Sequence, residues 1–411
     1  MKETLKKINY KDLVPALAGL IGKISLVASF AVIWAQELGI ENANFVFDNV
    51  RLEIFIGGVI ALLTACISSK MAPAGTLAPL VVLIPSMVKF GVHPLILSVL
   101  VGIVGLIAIK TGLLNKIMLM SGYYTKTSLT LVFGISGVWV SWKNIYSSFG
   151  NRYVGLFCLM LILIIVYVAL LKLKKSWLMI PIAAIVSILL PLIFGMKIDV
   201  SPVQEGLILD PLYWWNEVWG VGLGINVVTI LKTLPFALFV MLLWAMDTVA
   251  ITTLLDDQAT EGEEKEEIDI NKSFVLVAIR NMLGGILGGA QTASLWRSFL
   301  IPLVTIKRPM RGATILLSGL CIAAGLWGTP IKILSFDPLV WTVLLFGIFM
   351  PLTMAGINKL KEAQHSLEKG VLIFLALLGI VYSPIITWIG SILFEKGREM
   401  FLSKREDEKV V

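Results

Sequence analysis

The chain is poor in groups that carry aqueous chemistry. Its 411 residues include two histidines and three cysteines, and only 15% are charged. His93 and His365 lie far apart in sequence and no His/Cys spacing matches a metal site, which argues against a metal centre. Cys66, Cys158 and Cys321 each sit inside an apolar stretch, so they read as small core residues rather than a disulfide frame. No nucleophile, base and orienting group cluster, and the chain is not expected to be an enzyme. The net charge of +7 comes without a basic block, so no nucleic-acid partner is expected.

What is abundant is apolar sequence. Hydrophobic residues make up 57% of the chain, against about 45–50% in soluble domains. Leu156–Leu171 and Met179–Phe194 carry no charge at all. Runs of about 18 residues or more read as membrane helices. Leu13–Gln36 is too long for a cleavable leader and is expected to stay.

Fourteen spans are predicted, at 12–36, 51–69, 72–89, 93–110, 124–142, 153–172, 176–196, 227–255, 273–289, 292–306, 311–328, 337–357, 368–383 and 384–397. Basic residues sort by side when both termini are cytoplasmic. Lys70, Lys110, Lys116, Lys126, Lys172, Lys307, Arg308, Lys359 and Lys361 then fall inside, while Arg51, Lys143, Arg152, Lys197 and Lys332 fall outside and more isolated. The lack of a cleavable leader and the short tails suit the inner membrane of a prokaryote, which is the expected location. The outer loop 199–226 carries Trp214, Trp215 and Trp219, which suits a short helix at the interface. The inner loop 256–269 has eight acidic residues and one lysine and reads as a solvated linker.

Fourteen spans divide into two sevens, and an odd number per half forces opposite orientation. An inverted repeat of 12–196 and 227–397 is therefore expected. Val14-Pro15-Ala16-Leu17 echoes Leu234-Pro235-Phe236-Ala237-Leu238, and the Leu83-Ile84-Pro85 of span three echoes Leu300-Ile301-Pro302 in span ten. Ala72–Thr76 and Gly288–Thr292 are poor helix sequences in apolar surroundings. They predict extended backbone, with helices starting near Thr76 and Thr292 at mid-membrane. Helix N-termini there aim free N–H groups and a positive dipole end at a pocket. Gly75, Thr76, Thr292, Ala293, Ser294 and Trp296 are its candidate lining. Glycine-mediated helix packing is the alternative reading of these stretches.

Lys23, Asp247, Arg280 and Arg297 lie at or near membrane depth, where a charge costs roughly 2.5–3.5 kcal/mol on insertion scales. Arg297 suits a carboxylate or oxyanion, or a structural pair with an acid. Lys23 could supplement it. Asp247, followed by Thr248 and Thr252, suits Na⁺ or a proton, or a bridge to Lys23. Arg280 reads as structural or partly snorkelling.

The run from Leu283 through Gly288-Gly-Ala-Gln-Thr-Ala-Ser-Leu-Trp-Arg297-Ser298, following an acid in span eight, resembles the sulfate permease (SulP) family. So does Asp12-Leu-Val-Pro-Ala-Leu-Ala-Gly19. The layout is also similar to the nucleobase–ascorbate permeases. The resemblance covers the membrane part and implies an all-α fold, with a core domain (12–110 and 227–328) moving against a gate domain (111–196 and 329–397). It implies substrate between the two half-helices, an anion-binding arginine at Arg297, a coupling acid at Asp247, and dimerisation through the gate. Two departures stand out: only about fifteen residues follow Lys396, so the family's regulatory domain after the last span is not expected, and Trp296 stands where a small polar residue is usual. The expected function is secondary active transport of a small anion (sulfate, bicarbonate or carboxylate) coupled to Na⁺ or H⁺, with no other cofactor. A uracil- or xanthine-type proton symporter and a passive anion channel are the alternatives.

Overall fold

In hydrocarbon no water pairs with backbone N–H and C=O groups, so apolar runs fold as helices. The computed structural model describes residues 9–42, 44–150, 152–173, 175, 178–195, 206–220, 226–258, 268–336, 338–363 and 365–410. The first half contributes α1 (Leu13–Leu38), α2 (Phe45–Ile67), a 3₁₀ turn (Ala78–Leu83) leading into α3 (Ile84–Lys89), α4 (Pro94–Lys110), α5 (Leu113–Met120), α6 (Tyr123–Phe149), α7 (Tyr153–Lys172) and α8 (Met179–Ile193). The second half contributes α9 (Val227–Gln258), α10 (Ile270–Ile286), α11 (Arg297–Thr305), α12 (Met310–Trp327), α13 (Thr329–Phe336), α14 (Pro338–Glu362), α15 (Ser366–Val381) and α16 (Pro384–Val410). Each predicted span range overlaps one of these helices, and α5 and α13 are short additions between spans. Six helical stretches among the described residues are individually long and apolar enough to cross a bilayer. The turn-plus-α3 segment and α4 form a further pair, bent by 118°.

Burial separates the centre from the rim. Helix α1 is buried along most of its length against α2, α11, α12 and α14, and belongs to one large apolar cluster that includes Ile24, Phe30, Leu77, Trp244 and Trp296. A second cluster gathers Ile145, Leu159, Ala184 and Val343 from α6, α7, α8 and α14. Helix α7 turns Phe157, Leu161, Ile164 and Ile165 outward, the surface a lipid solvent wants. Helices α6 and α14 approach closely because Gly134 lies against the Thr353 backbone and Gly137 against the Phe349 ring.

Two chain segments are not helical at depth, and they cross. Residues 73–77 and 292–296 run antiparallel, joined by Gly75 N–H to Ser294 O at 2.7 Å, Leu77 N–H to Thr292 O at 3.0 Å and Trp296 N–H to Pro73 O at 3.1 Å. Gly75 is required there. A β-carbon on it would collide with the Cα and side chain of Trp296. Several other polar groups of 288–293 are paired by side chains. Asn49 accepts from Ala290 N–H at 3.1 Å and donates to Gly288 O at 2.9 Å. Asn281 accepts from Ala293 N–H at 2.7 Å and donates to Ala293 O at 3.2 Å. Trp244 Nε1 donates to Ala293 O at 3.0 Å, and Glu53 accepts from Gln291 N–H at 3.1 Å.

Four sequence expectations change. The second interrupted span resumes helix at Arg297, not near Thr292, because residues 292–296 are consumed by the crossing. Arg51 is not in an outer loop. Helix α2 starts earlier, at Phe45, and Arg51 is buried, donating to Gly325 O at 3.1 Å and Leu326 O at 3.2 Å. Of the two readings of Arg280 the structural one stands and the snorkelling one falls: it is fully buried and ion-paired with Glu53 of α2, an acid the charge survey missed. Trp214 and Trp215 do lie in a short helical turn (Tyr213–Val218) capped by Trp219, but all three are buried in the protein rather than exposed along an interface. Trp214 packs on Gly288, whose φ of +97° opens the space, while Trp215 and Trp219 donate to Ile286 O and Gly288 O at 2.8 and 2.9 Å. Of the acidic loop, residues 259–267 lie outside the described residues; its last member, Asp269, accepts from Lys272 N–H at 3.0 Å and caps α10.

Breaking one partner of a fully buried ion pair strands the other charge, at a cost of about 3–5 kcal/mol. Glu53→Gln and Arg280→Met should each lower the melting temperature of the detergent-solubilised protein sharply, and the double variant should lose less than the two single losses added. Additive losses would show that the pair is not a unit. Gly75→Ala should disrupt the crossing and abolish ligand-induced thermal stabilisation, whereas Gly319→Ala, in open space, should not.

Candidate substrate site beside the crossing

The crossing hands over to helix in the same way on both sides. Leu77 (φ −85°, ψ 77°) and Trp296 (φ −83°, ψ 77°) share one backbone conformation. The residue after each turns back on itself, Ala78 N–H to Thr76 O at 3.1 Å and Arg297 N–H to Leu295 O at 3.0 Å. The two outer crossing bonds, Leu77 to Thr292 and Pro73 to Trp296, exchange residues offset by the same 219 positions. By that register Thr76 corresponds to Leu295, not to Thr292, and Ala78 corresponds to Arg297. The arginine is the first residue of its helix.

Beside the crossing lies a cavity of about 470 Å³. Its polar lining includes Lys23, Thr76, Asp247, Arg297 and Ser298, while α6 and α14 contribute mostly apolar residues, Phe133, Val343 and Phe349 among them, with Thr130 of α6 the polar exception. Arg297 pairs through Nη2 with Asp247 Oδ1, and Ser294 Oγ donates to Asp247 Oδ2. The pair is lopsided: the Arg297 side chain is 38% exposed and that of Asp247 only 5%. The guanidinium therefore faces the open space while the carboxylate backs it. Among the described residues the buried Arg297 Nε has no hydrogen-bond partner.

Lys23 is not bridged to Asp247. Its ammonium donates to Ala74 O at 3.3 Å and sits 4.2 Å from the centre of the Trp296 ring, a cation–π contact. Gly57 leaves room for it, since a β-carbon there would meet Lys23 Nζ. Trp296 is itself fixed, with Nε1 donating to Gly19 O at 3.1 Å. Its ring is a wall of the cavity, already engaged by Lys23 and Gly75.

The predicted residues thus split. Lys23, Thr76, Trp296, Arg297 and Asp247 meet at the cavity. Gly75, Thr292, Ala293 and Ser294 are buried behind it and build the crossing. Thr248 Oγ1 donates to Trp244 O at 3.0 Å in its own helix. The Thr252 side chain lies outside the described residues. Sequence reading passed over Gln291, Glu53, Asn49 and Asn281. The signal available was their kind: amides and an acid inside apolar spans must be pairing with something.

Comparisons with known proteins agree with this architecture. No curated protein matches the chain. Among solved structures, that of SLC26A9 superposes with a TM-score of 0.62 at 15% identity, covering 97% of this chain and 66% of that protein. Murine Slc26a9, an anion transporter in the inward-facing state, gives 0.58 at 13% identity, over 97% of this chain and 69% of that one. The transmembrane domain of a cyanobacterium bicarbonate transporter, BicA, gives 0.60 at 16% identity, over 93% of this chain and 98% of that one. The chain therefore spans about two thirds of the SLC26A9 chain and nearly all of the BicA membrane domain, and it has the SulP-type fold. A family model matches residues 4–409, so the chain belongs to the family described as "Protein of unknown function (DUF3360)".

Proposed function

We propose that this protein is a secondary active transporter of a small anion of the sulfate, bicarbonate or carboxylate class, driven by Na⁺ or H⁺. The observation that carries the reading is Arg297: a fixed guanidinium at the first turn of a helix that begins beside the crossing, turned toward a cavity and backed by a buried acid. A charge is tolerated at depth when it is paired or faces a polar cavity, and Arg297 satisfies both. An anion entering the cavity competes with Asp247 for the guanidinium. A displaced carboxylate then requires a cation or proton of its own, which links the two fluxes. The likeness in fold to a bicarbonate transporter and to an anion transporter supports the substrate class.

We further propose fourteen spans in two inverted repeats (12–196 and 227–397), with both termini cytoplasmic. The equal offset of the crossing bonds and the matched backbone at Leu77 and Trp296 support the repeat. The cavity is lined by the charged groups of α1, α9 and α11 and by the Thr76 segment, and by mostly apolar residues of α6, α7, α8 and α14. That division suits a core (12–110 and 227–328) sliding in elevator fashion against a gate (111–196 and 329–397), whose helices also offer a face for a homodimer.

Purified protein in proteoliposomes should accumulate at least one of labelled bicarbonate, sulfate or formate against its gradient, and only with an imposed Na⁺ or pH gradient. Accumulation without any such gradient requirement would reject coupling, and equilibration alone would point to a channel. Competition by uracil or xanthine, with none by any anion, would overturn the reading. Arg297→Ala should raise the half-saturating anion concentration about 10- to 100-fold, the worth of a charge-assisted hydrogen bond of about 1.5–3 kcal/mol. Asp247→Asn should leave anion exchange but remove its dependence on the driving cation.

A further inference from the structure

The wall of the cavity at Thr76 has a defined hydrogen-bond polarity, and a residue that never touches the cavity sets it. Gln291 is fully buried, with one terminal atom of its side chain 2.7 Å from Arg280 Nη2 and 3.2 Å from Arg280 Nη1. A guanidinium only donates, so that atom is the amide oxygen. The amide nitrogen is then the atom 2.8 Å from Thr76 Oγ1, and it donates to it. Reversing the amide would press its N–H groups against the guanidinium. Nor can the residue move away. Its backbone N–H donates to Glu53 Oε1 at 3.1 Å, and its carbonyl accepts from Ser98 Oγ and Arg280 Nη1, both at 3.2 Å. Glu53 in turn holds Arg280.

A threonine hydroxyl has one proton. With a lone pair already taken by the Gln291 amide, its own hydrogen must be given elsewhere, and Thr76 borders the cavity. We propose that Gln291 is a positioning residue that frees the Thr76 hydroxyl hydrogen for the cavity, so that the wall there favours a substrate atom that accepts a hydrogen bond. This rests on the anion-transport reading and narrows it: the atom at Thr76 is a deprotonated oxygen of the anion, and a group that can only donate, or a bare cation, is disfavoured there. The chain Glu53–Arg280–Gln291–Thr76 carries this polarity from the interior of α2 and α10 to the binding surface.

The test uses proteoliposome uptake of labelled bicarbonate, formate and sulfate by the full chain. Thr76→Val keeps the shape and removes the donor; it should raise the half-saturating concentration about 10-fold with maximal rate within about twofold. Gln291→Glu offers acceptors to both Arg280 and Thr76, so the hydroxyl turns inward and its lone pairs face the cavity; it should raise half-saturation by at least as much. Gln291→Met frees the hydroxyl and should give a smaller rise, about threefold, which keeps the test alive if the glutamate variant does not fold. The decisive result is non-additivity: in the Thr76→Val background neither change at Gln291 should alter half-saturation further. Unchanged half-saturation in Gln291→Glu or Gln291→Met, or the same rise with valine at position 76, would overturn the proposal while leaving anion transport intact. Uptake of uracil and no anion by the wild type would overturn both.

Discussion

The structure turns on one requirement, that backbone left unwound inside a bilayer still find hydrogen-bond partners. Two segments give up helical bonds at the same depth, and each supplies partners for the other through Gly75, Leu77 and Trp296. The arrangement works only because backbones touch, which is why a glycine stands opposite the Trp296 α-carbon. What the segments cannot give each other comes from Asn49, Asn281, Trp244 and Glu53. An amide side chain has both a donor and an acceptor, so one asparagine can replace one strand neighbour.

That solution also creates the site. Ending the crossing at Trp296 starts α11 at Arg297, and the guanidinium emerges where two helices begin. The acid that neutralises it comes from α9 and is held by Ser294, a member of the crossing itself. Scaffold and site share residues, so the geometry of the charge pair is tied to the integrity of the extended segments.

Two kinds of buried charge occupy the interior, and their exposure tells them apart. Glu53 and Arg280 are sealed, with neither side chain exposed, and their partners are protein groups. Arg297 is open on one side. The sealed pair holds its neighbours in place; the open one borders the cavity. Lys23 stands between these cases, buried like the first pair yet bordering the cavity, its ammonium on a carbonyl and an aromatic face.

The sequence alone determined that this is an all-helical membrane protein and where its helices are interrupted, because length, charge and glycine content act locally. It also singled out Arg297 and Asp247, since a charge at membrane depth is conspicuous by its cost. It did not determine who pairs with whom. Asp247 could reach Lys23 or Arg297 by sequence, and only the tertiary crossing places the arginine against it. It misjudged the start of α11 by five residues, from Thr292 to Arg297, because the hydrogen bonds that keep 292–296 extended come from a segment more than 200 positions earlier. The parts of the site that only the tertiary structure decided, Gln291 and Glu53 among them, are those whose meaning lies in a distant partner, and distance along a chain carries no trace of such contacts.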